Sequence, residues 1–473
     1  MTSPVITVGK DTPFFDTIKL MGERKIGSLI VVDEDNSLSG LLTSKNLIFK
    51  FFEKFPKVKA NELNAKDFIN TKPIQIPPEF PLIDALFEMQ HKEEDYAIVC
   101  NRNTPVGIIS SKDILRILFK SPTVYENHIK NIDSLDELKD IHKTLYKIAE
   151  NISENSRSTS DVLTILSSIH LKIQRRVYDI SAKVFNENNP LNLKIENIPH
   201  AFIIMGSGGR REMNLDPDQD NGFIYPDNIT DIEKEYLNEF GKMLVENLDY
   251  VGYEKCDGNI MVTNPEMSKT IGEWKNDIAS WIDNPGKWGI RWSTIIFDFD
   301  CLVGDEKLVW ELRNFILQKV SQKPAFLLQI LQSDSNHAIP ISFFGSFVTE
   351  KKGSKKGTFN LKRTGLMFIV DIARVFSLYK GITDINTVER LKHLERLNVL
   401  TDETVQNVME AYEIMTNIIL SHQIEQAKNN VKLDKFINPK QLSVYKQEKL
   451  KNALKTVGKF LDTALSYFTG SPF

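Results

Sequence analysis

The first 120 residues repeat themselves at an offset of about 68 positions. Pro4–Val8 resembles Pro73–Ile76, and Pro13, Asp16 and Met21 recur as Pro81, Asp84 and Met89. Ser28–Val32 recurs as Tyr96–Cys100, and Gly40-Leu41-Leu42-Thr43 recurs as Gly107-Ile108-Ile109-Ser110. This offset is too long for a solenoid repeat and suits a tandem pair of small modules. Each copy reads strand, helix, strand, turn, strand, helix, with short β-branched runs such as Ser28–Asp33 broken by turn residues such as Glu34-Asp35-Asn36. Neither copy is long enough to close a good core alone, so the two are expected to pack face to face.

A chain of 473 residues is too long for one core, since cores stop growing near ~250–300 residues. The apolar and charged fractions are those of a globular protein. A net charge of -4 gives no global reason to expect a nucleic-acid partner. Cys100, Cys256 and Cys301 lie far apart, with neither disulfide nor thiolate-metal spacing. The start of the chain lacks the basic-then-apolar pattern of a signal peptide, and no apolar run reaches the ~18 residues of a membrane span. A soluble cytoplasmic protein is expected.

Residues 122–195 change to helical period. Ser134-Leu135-Asp136-Glu137 reads as a capping box, followed by Leu138, Ile141, Leu145, Ile148 and Ile152 on one face. A second helix carries Val162, Ile165, Ile169, Ile173, Val177, Ile180 and Val184, with Arg175 and Arg176 expected on its solvated side. This segment reads as a connector.

The chemistry is concentrated after Ala201–Met205, an apolar strand that runs into Gly206-Ser207-Gly208-Gly209-Arg210. Glycines there let backbone approach a ligand and aim N–H groups at it. Ten residues separate Ser207 from Asp218-Gln219-Asp220-Asn221, which leads into a second apolar run, Gly222–Tyr225. Alternation along a strand puts Asp218 and Asp220 on one face. Two carboxylates beside a phosphate-cradling turn suit Mg²⁺ with a nucleoside triphosphate, and Arg210 or Arg211 could add a phosphate contact. By alternation Asp298 and Asp300, in the apolar run Ser293–Asp300, are expected to share a strand face, so both could reach the site. A third carboxylate is what the resemblance named below implies, with Asp298 favoured by it over a strand-end structural role and Asp257 the poorer candidate.

Two resemblances follow from these residues. The repeat resembles a pair of CBS domains, about 1–55 and 66–121 within 1–121. The resemblance implies an adenine nucleotide (AMP, ADP or ATP) at Ser110 and Asp113, with Thr43 as the first copy's hydroxyl and Asn46 where that family usually has Asp. The alternative for Ser110 and Asp113 is simple helix capping. The stretch GSGGRREMNLDPDQDNGFIY resembles the DNA polymerase β-like nucleotidyltransferase superfamily. It is more closely similar to the CBS-associated nucleotidyltransferases of bacterial signalling proteins, relatives of the nitrogen-regulatory uridylyltransferases. The pattern is met at Gly206, Ser207, Gly209, Arg210, Glu212, Asp218, Gln219, Asp220 and Asn221; Pro217 stands where a hydroxyl residue is usual.

The resemblance implies an α+β multidomain chain: a tandem CBS pair, a helical connector (122–195), a polymerase β-like mixed-sheet core (196–308) and a C-terminal helical bundle for substrate binding (309–473). It implies Asp218, Asp220 and Asp298 as catalytic metal ligands, and Gly206, Ser207, Gly209 and Arg210 as phosphate-binding positions. Lys362, Asp371 and Arg374 match polar positions of the helical bundle; Asp371 and Arg374 could instead simply pair. Glu389-Arg390 and His422-Gln423 match without an assignable chemistry, and Lys351–Lys356 reads as a solvated loop or a phosphate lid. The function implied is Mg²⁺-dependent transfer of a nucleotidyl group to a protein or small-molecule acceptor, regulated through the CBS pair, in a chain that dimerises. The competing reading is a non-catalytic nucleotide-sensing regulator.

Overall fold

The computed structural model describes residues 5–24, 26–54, 62–70, 72–111, 113–114, 129–156, 158–188, 193–335, 338–342 and 345–470. The first connector residues, 122–128, lie outside them. The chain divides into two compact units, Met1–His128 and Ile129–Phe473.

In the first unit, β1 (Thr7–Gly9), β2 (Ser28–Val32) and β3 (Leu38–Thr43) form one sheet, and β4 (Ile74–Ile76), β5 (Tyr96–Asn101) and β6 (Thr104–Ser110) form the other. Both have the same order, a parallel pair followed by an antiparallel pair. Even the irregularity repeats, at Val31/Val32 and Val99/Cys100. The copies pack on each other as expected: Ile30, Val32 and Leu41 of the first share a core with Ile98 and Cys100 of the second. Leu38 N also donates to Asn103 O at 3.0 Å.

The second unit opens on two helices, α1 (Leu135–Asn155) and α2 (Thr159–Glu187). The five apolar positions from Leu138 to Ile152 are all buried, but Val184 is exposed, because the buried stripe of α2 moves on to Leu163, Leu166 and Tyr178. The capping box forms only in part: Ser134 Oγ accepts from Asp136 N at 3.2 Å. Arg175 is exposed, as a solvated face requires, whereas Arg176 is partly buried. Arg175 donates to Leu302 O at 3.2 Å, and Arg176 donates to Ile132 O and Asp133, fixing the entry to α1.

The sheet of this unit runs β10-β7-β8-β9, with β7 (Ala201–Ile204) antiparallel to β8 (Asn221–Tyr225) and β10 (Asp300–Gly304), and β8 parallel to β9 (Ser268–Thr270). The long helix α3 (Asp231–Val251) follows β8, with a complete capping box at Thr230 and Glu233. The run ahead of Asp298 corrects an expectation. It is not a strand: Lys287–Ile296 is a helix, and Asp298 lies in the turn between it and β10. Its β-branched residues suggest a strand, but Gly289, Ser293 and Ile296 are buried at helical spacing and decide the outcome. Asp298 and Asp300 therefore share no strand face.

The C-terminal helices include α4 (Met367–Tyr379), α5 (Thr387–Arg396) and α6 (Asp402–Lys428), joined by a small ribbon, β11 (Phe359–Asn360) with β12 (Phe436–Ile437). One apolar core runs without a break from Ala201, Ile203 and Ile224 of the sheet to Phe376, Leu391, Met415 and Leu454 of these helices. Among the described residues no helix is long and apolar enough to cross a membrane.

Two histidines, His170 buried and His142 half-buried, are expected to make this unit acid-sensitive. His170 bonds to Tyr253 Oη at 3.0 Å and Asn214 O at 2.9 Å, while His142 Nε2 is buried with no hydrogen-bond partner. Burial lowers His142 from 6.5 to about 4 and, aided by His142, lowers His170 to about 3. Both stay neutral in the fold, whereas the unfolded chain takes up protons below about 6.5. Stability is thus complete above that pH and falls as pH drops toward 4. Urea melts at pH 7 and pH 5 should show this loss, and His142→Phe should reduce it; identical pH slopes would refute the assignment.

Candidate metal–nucleotide site

The site is assembled where β7 ends. Ile204 pairs with Asn221, and Met205 N donates to Asp220 O at 2.8 Å, so pairing continues just past the strands. Gly206–Gly209 then forms a single helical turn. Gly206 has φ +60°, and a Cβ there would come within 2.9 Å of Asp220 Oδ2. Glycine is required on both counts: the backbone is left-handed and the carboxylate lies against it. A Cβ on Gly209 would come within 2.1 Å of Asp298 O, so the turn also sits hard against the Asp298 backbone.

Alternation through Asp218-Gln219-Asp220 is as expected. Gln219 turns inward, its amide donating to Val245 O at 3.0 Å and Tyr253 O at 2.9 Å at the end of α3. The flanking carboxylates turn the other way and converge with Cys256, the donor atoms of all three lying within 4.8 Å of one another. Burial and the neighbouring Asp218 push Asp220 up to about 7. Burial, with Asp220 beside it, pushes the Cys256 thiol up to about 12. The carboxylate pair is thus short of positive charge, and a divalent cation fits it by supplying that charge and taking oxygen ligands.

The opposite wall is basic. Lys362 is half-buried; burial and then Lys435 lower its pKa, opposed by the attraction of Asp218 and Asp220. Lys435 Nζ lies 2.8 Å from Asp216 Oδ2, and Leu361 N donates to Lys435 O at 3.0 Å, so the β11–β12 ribbon sets the two lysines side by side. Gln423 joins the same region, its Oε1 accepting from Leu215 N at 3.2 Å and its amide donating to Asp216. His422 pairs with Asp434 at 3.2 Å, and Lys355 of the basic loop bonds to the same Asp434.

Asp298 and Arg210 stand differently from their expected roles. The structure does not bring Asp298 to the carboxylate pair. It is wholly buried and caged by Arg210 at 2.9 Å, Arg374 at 2.5 Å and Arg390 at 2.7 Å. Burial would raise its carboxyl, but Arg374, Arg390 and Arg210 outweigh that and hold it well below the carboxylate range. Arg210 does not reach toward a phosphate: it spans Glu212 at 2.7 Å and Asp298. Arg374 also pairs with Asp371 one turn back on α4. Glu212 Oε1 accepts from Thr387 N at 2.6 Å, at the start of α5, and Asn386 donates to Arg210 O at 3.1 Å. The cluster holds three guanidiniums and three carboxylates, so its buried charge balances. It ties the glycine turn to α4 and α5.

In the first unit, Ser110 Oγ donates to Asp113 Oδ2 at 2.8 Å and accepts from Asp113 N at 3.1 Å. Thr43 Oγ1 accepts from Asn46 N at 3.2 Å. Ser110, Asp113 and Thr43 therefore make bonds of the helix-capping kind.

Cys256 and Lys435 build the site although the sequence alone does not single them out for that role. Cys256 lies in the CDGN stretch, where Asp257 is the more obvious ligand, and Lys435 carries no motif.

The comparisons with known proteins follow this layout. Residues 143–287 match the family described as "Putative nucleotidyltransferase DUF294", residues 324–468 match "Putative nucleotidyltransferase substrate binding domain", and residues 1–53 and 65–120 match "CBS domain". The chain belongs to the CBS-containing "putative nucleotidyltransferase" family. The nucleotidyltransferase match begins inside α1, so the family pattern includes most of the helical pair ahead of the sheet. Among curated relatives, inosine-5'-monophosphate dehydrogenase of Bifidobacterium longum is 29% identical over 117 residues, 24% of this chain and 21% of that one. An uncharacterized protein of Methanocaldococcus jannaschii is 33% identical over 57 residues, 12% of this chain and 19% of that one. The chain thus spans about a fifth of the length of these two relatives. A second uncharacterized protein of that organism is 23% identical over 170 residues, 34% of this chain and 90% of that one. Among solved structures, a CBS-domain protein of Agrobacterium tumefaciens covers 24% of this chain and 84% of its own at 21% identity and TM-score 0.22. The structure of CBSX2 in complex with AMP covers 25% and 92% at 19% identity and TM-score 0.23.

Proposed function

We propose that the chain is a Mg²⁺-dependent nucleotidyltransferase of signal transduction, regulated by an adenine nucleotide at its CBS pair. The observation that carries this is the convergence of Asp218 and Asp220 against the Gly206 turn, in a family described by that activity. Asp218 and Asp220 would hold the cation, which supplies charge neutralisation to the triphosphate. Backbone N–H groups of the Gly206–Gly209 turn cradle phosphate oxygens, with Ser207 at the turn, while Lys362 and Lys435 face them as point charges. The acceptor nucleophile attacks the α-phosphorus, pyrophosphate leaves, and the acceptor's proton passes to solvent. The acceptor is a protein side chain or a small molecule, and the working assembly is a cytoplasmic homodimer.

The test is release of pyrophosphate from a panel of triphosphates with Mg²⁺ and candidate acceptors. Wild type should turn over, and the Asp218→Ala, Asp220→Ala double variant should not; equal rates would end the catalytic reading. One observation favours a second reading, a non-catalytic regulator. Asp298 is spent in an arginine cage, which leaves the pair without a third carboxylate. Calorimetry showing Mg²⁺·triphosphate binding, with no pyrophosphate released for any acceptor, would select that reading.

For the CBS pair, AMP, ADP or ATP binds with Ser110, Asp113 and Thr43 as contacts. Asp113→Ala should weaken the Kd by ~1–3 kcal/mol, the scale of a charge-assisted hydrogen bond. Titration giving an unchanged Kd would refute the assignment.

A further inference from the structure

We propose that Cys256 is the third ligand of the Asp218–Asp220 site, so that the site captures a thiophilic divalent cation of the Zn²⁺ class in competition with Mg²⁺. The inference rests on the same carboxylate pair as the transferase reading but needs no turnover.

Three observations carry it. The first is the donor set. One oxygen from each carboxylate and the Cys256 sulfur lie within 4.8 Å of one another, the one such group of three among the described residues. Two carboxylates and a sulfur are not the ligands of a hard cation alone: Mg²⁺ asks for an octahedron of oxygens, whereas Zn²⁺ takes carboxylate and thiolate together in a compact tetrahedron.

The second is what surrounds the sulfur. The chain wraps it closely: a Cβ on Gly258 would lie 3.4 Å from Cys256 Sγ. The wrap is a tight turn in which Asn259 N donates to Cys256 O at 2.9 Å and Asn259 has φ +54°. Non-glycine residues adopt that region infrequently, asparagine among the more tolerant, so the turn that sets the sulfur beside the carboxylates is a specified feature.

The third is the way the carboxylates are held. Cys256 Sγ lies within 4.8 Å of an Asp220 carboxylate oxygen, and Asp220 Oδ2 lies close against Gly206, where a Cβ would come within 2.9 Å of it. When a cation enters, the thiol proton leaves to solvent and the cation takes its place between sulfur and carboxylate. With three protein ligands on a four-coordinate ion, one position is left, too few for a triphosphate that expects two phosphate oxygens and several waters around its metal. The Zn²⁺-class complex is therefore an off state of the site.

The experiment is Cd²⁺ titration of the full chain, read by the ultraviolet thiolate-to-cadmium charge-transfer band. The band should saturate at one equivalent, be lost in Cys256→Ser, persist in Cys301→Ser, and need about 10–100-fold more Cd²⁺ in Asp218→Asn. A second measurement uses wild type alone. Alkylation of Cys256, followed by peptide mass spectrometry, should slow about tenfold or more with one equivalent of Zn²⁺ and stay unchanged with equimolar Mg²⁺. No band in folded wild type, a band that survives Cys256→Ser, or equal alkylation rates would each overturn the proposal. The two readings also fail separately. Cadmium binding without pyrophosphate release from any triphosphate sinks the transferase and leaves the thiolate site; pyrophosphate release without the band or the protection does the reverse.

Discussion

Asp298→Ala should destabilise the Ile129–Phe473 unit by about 3–5 kcal/mol, the cost of removing one partner from a buried ion pair. Asp298 is wholly buried and meets three guanidiniums, two of which are themselves fully or almost fully buried through Arg374 and Arg390. Its removal leaves Arg210, Arg374 and Arg390 opposed by Glu212 and Asp371 alone, a net positive charge with no route to water. Asp298→Asn should cost somewhat less, since the amide oxygen still accepts a hydrogen bond but carries no charge. Urea unfolding followed by tryptophan fluorescence reads this unit cleanly, because all five tryptophans lie between Trp274 and Trp310. A loss below about 1 kcal/mol would contradict the cage as a stabilising centre. The same variant separates cage from cation ligand. If Asp298 held the metal, Mg²⁺·triphosphate binding would disappear while the melt stayed near wild type.

The opposite trade is expected at Asp220. Asp220→Asn should make the metal-free protein more stable at neutral pH while removing the protection conferred by Mg²⁺·triphosphate. Burial and Asp218 raise the Asp220 carboxyl from 3.8 to about 7. Between those values the fold holds a proton that the unfolded chain has already released, so stability is greatest at the acid end and declines as pH rises to about 7. A tenfold change in proton affinity corresponds to about 1.4 kcal/mol; discounted for the partial exposure of Asp220, the ionised site costs about 1–3 kcal/mol. Thermal melts of both proteins at pH 5 and pH 8 test this. The advantage of Asp220→Asn should widen with pH, and the histidine contribution, common to both, cancels. A gap that does not change with pH would refute the strain at the carboxylate, and a ligand-induced rise in Tm that survives Asp220→Asn would refute its role in holding the cation.

The parts of the fold legible in the sequence are those written in local spacing. The repeat is preserved down to the paired irregularities at Val31/Val32 and Val99/Cys100. The glycine turn and the alternation of Asp218, Gln219 and Asp220 are properties of a few consecutive residues, and they stand in the structure as spacing implied. The resemblance to a known family supplied the order of modules. What local spacing could not supply was the pairing of distant charges. Arg210 looks like a phosphate ligand when only its glycine neighbours are considered, and Asp298 like a third carboxylate. Their mutual bridge, and the bridges to Arg374 and Arg390, depend on helices that begin about 70 or more residues later in the chain. The strand expected at Ser293–Asp300 failed for a related reason. Its β-branched residues are equally usable in a helix whose buried stripe is set by the core. Cys256 and Lys435 enter the site only because the chain returns to it twice more after Asp220.

The charge cage also sets where this chain can be divided. The family descriptions separate the sheet region from the C-terminal helices, between residues 287 and 324. A fragment cut in that interval after Asp298 would keep Arg210, Glu212 and Asp298 and lose Arg374, Arg390 and the Thr387 amide that answer them. It would also open an apolar core that now runs from Ile203 to Leu454. The two halves are therefore expected to fold as one piece. Exchange of the C-terminal helices between relatives, as a means of changing the acceptor, has to carry Arg210, Glu212 and Asp298 along with the helices that hold them.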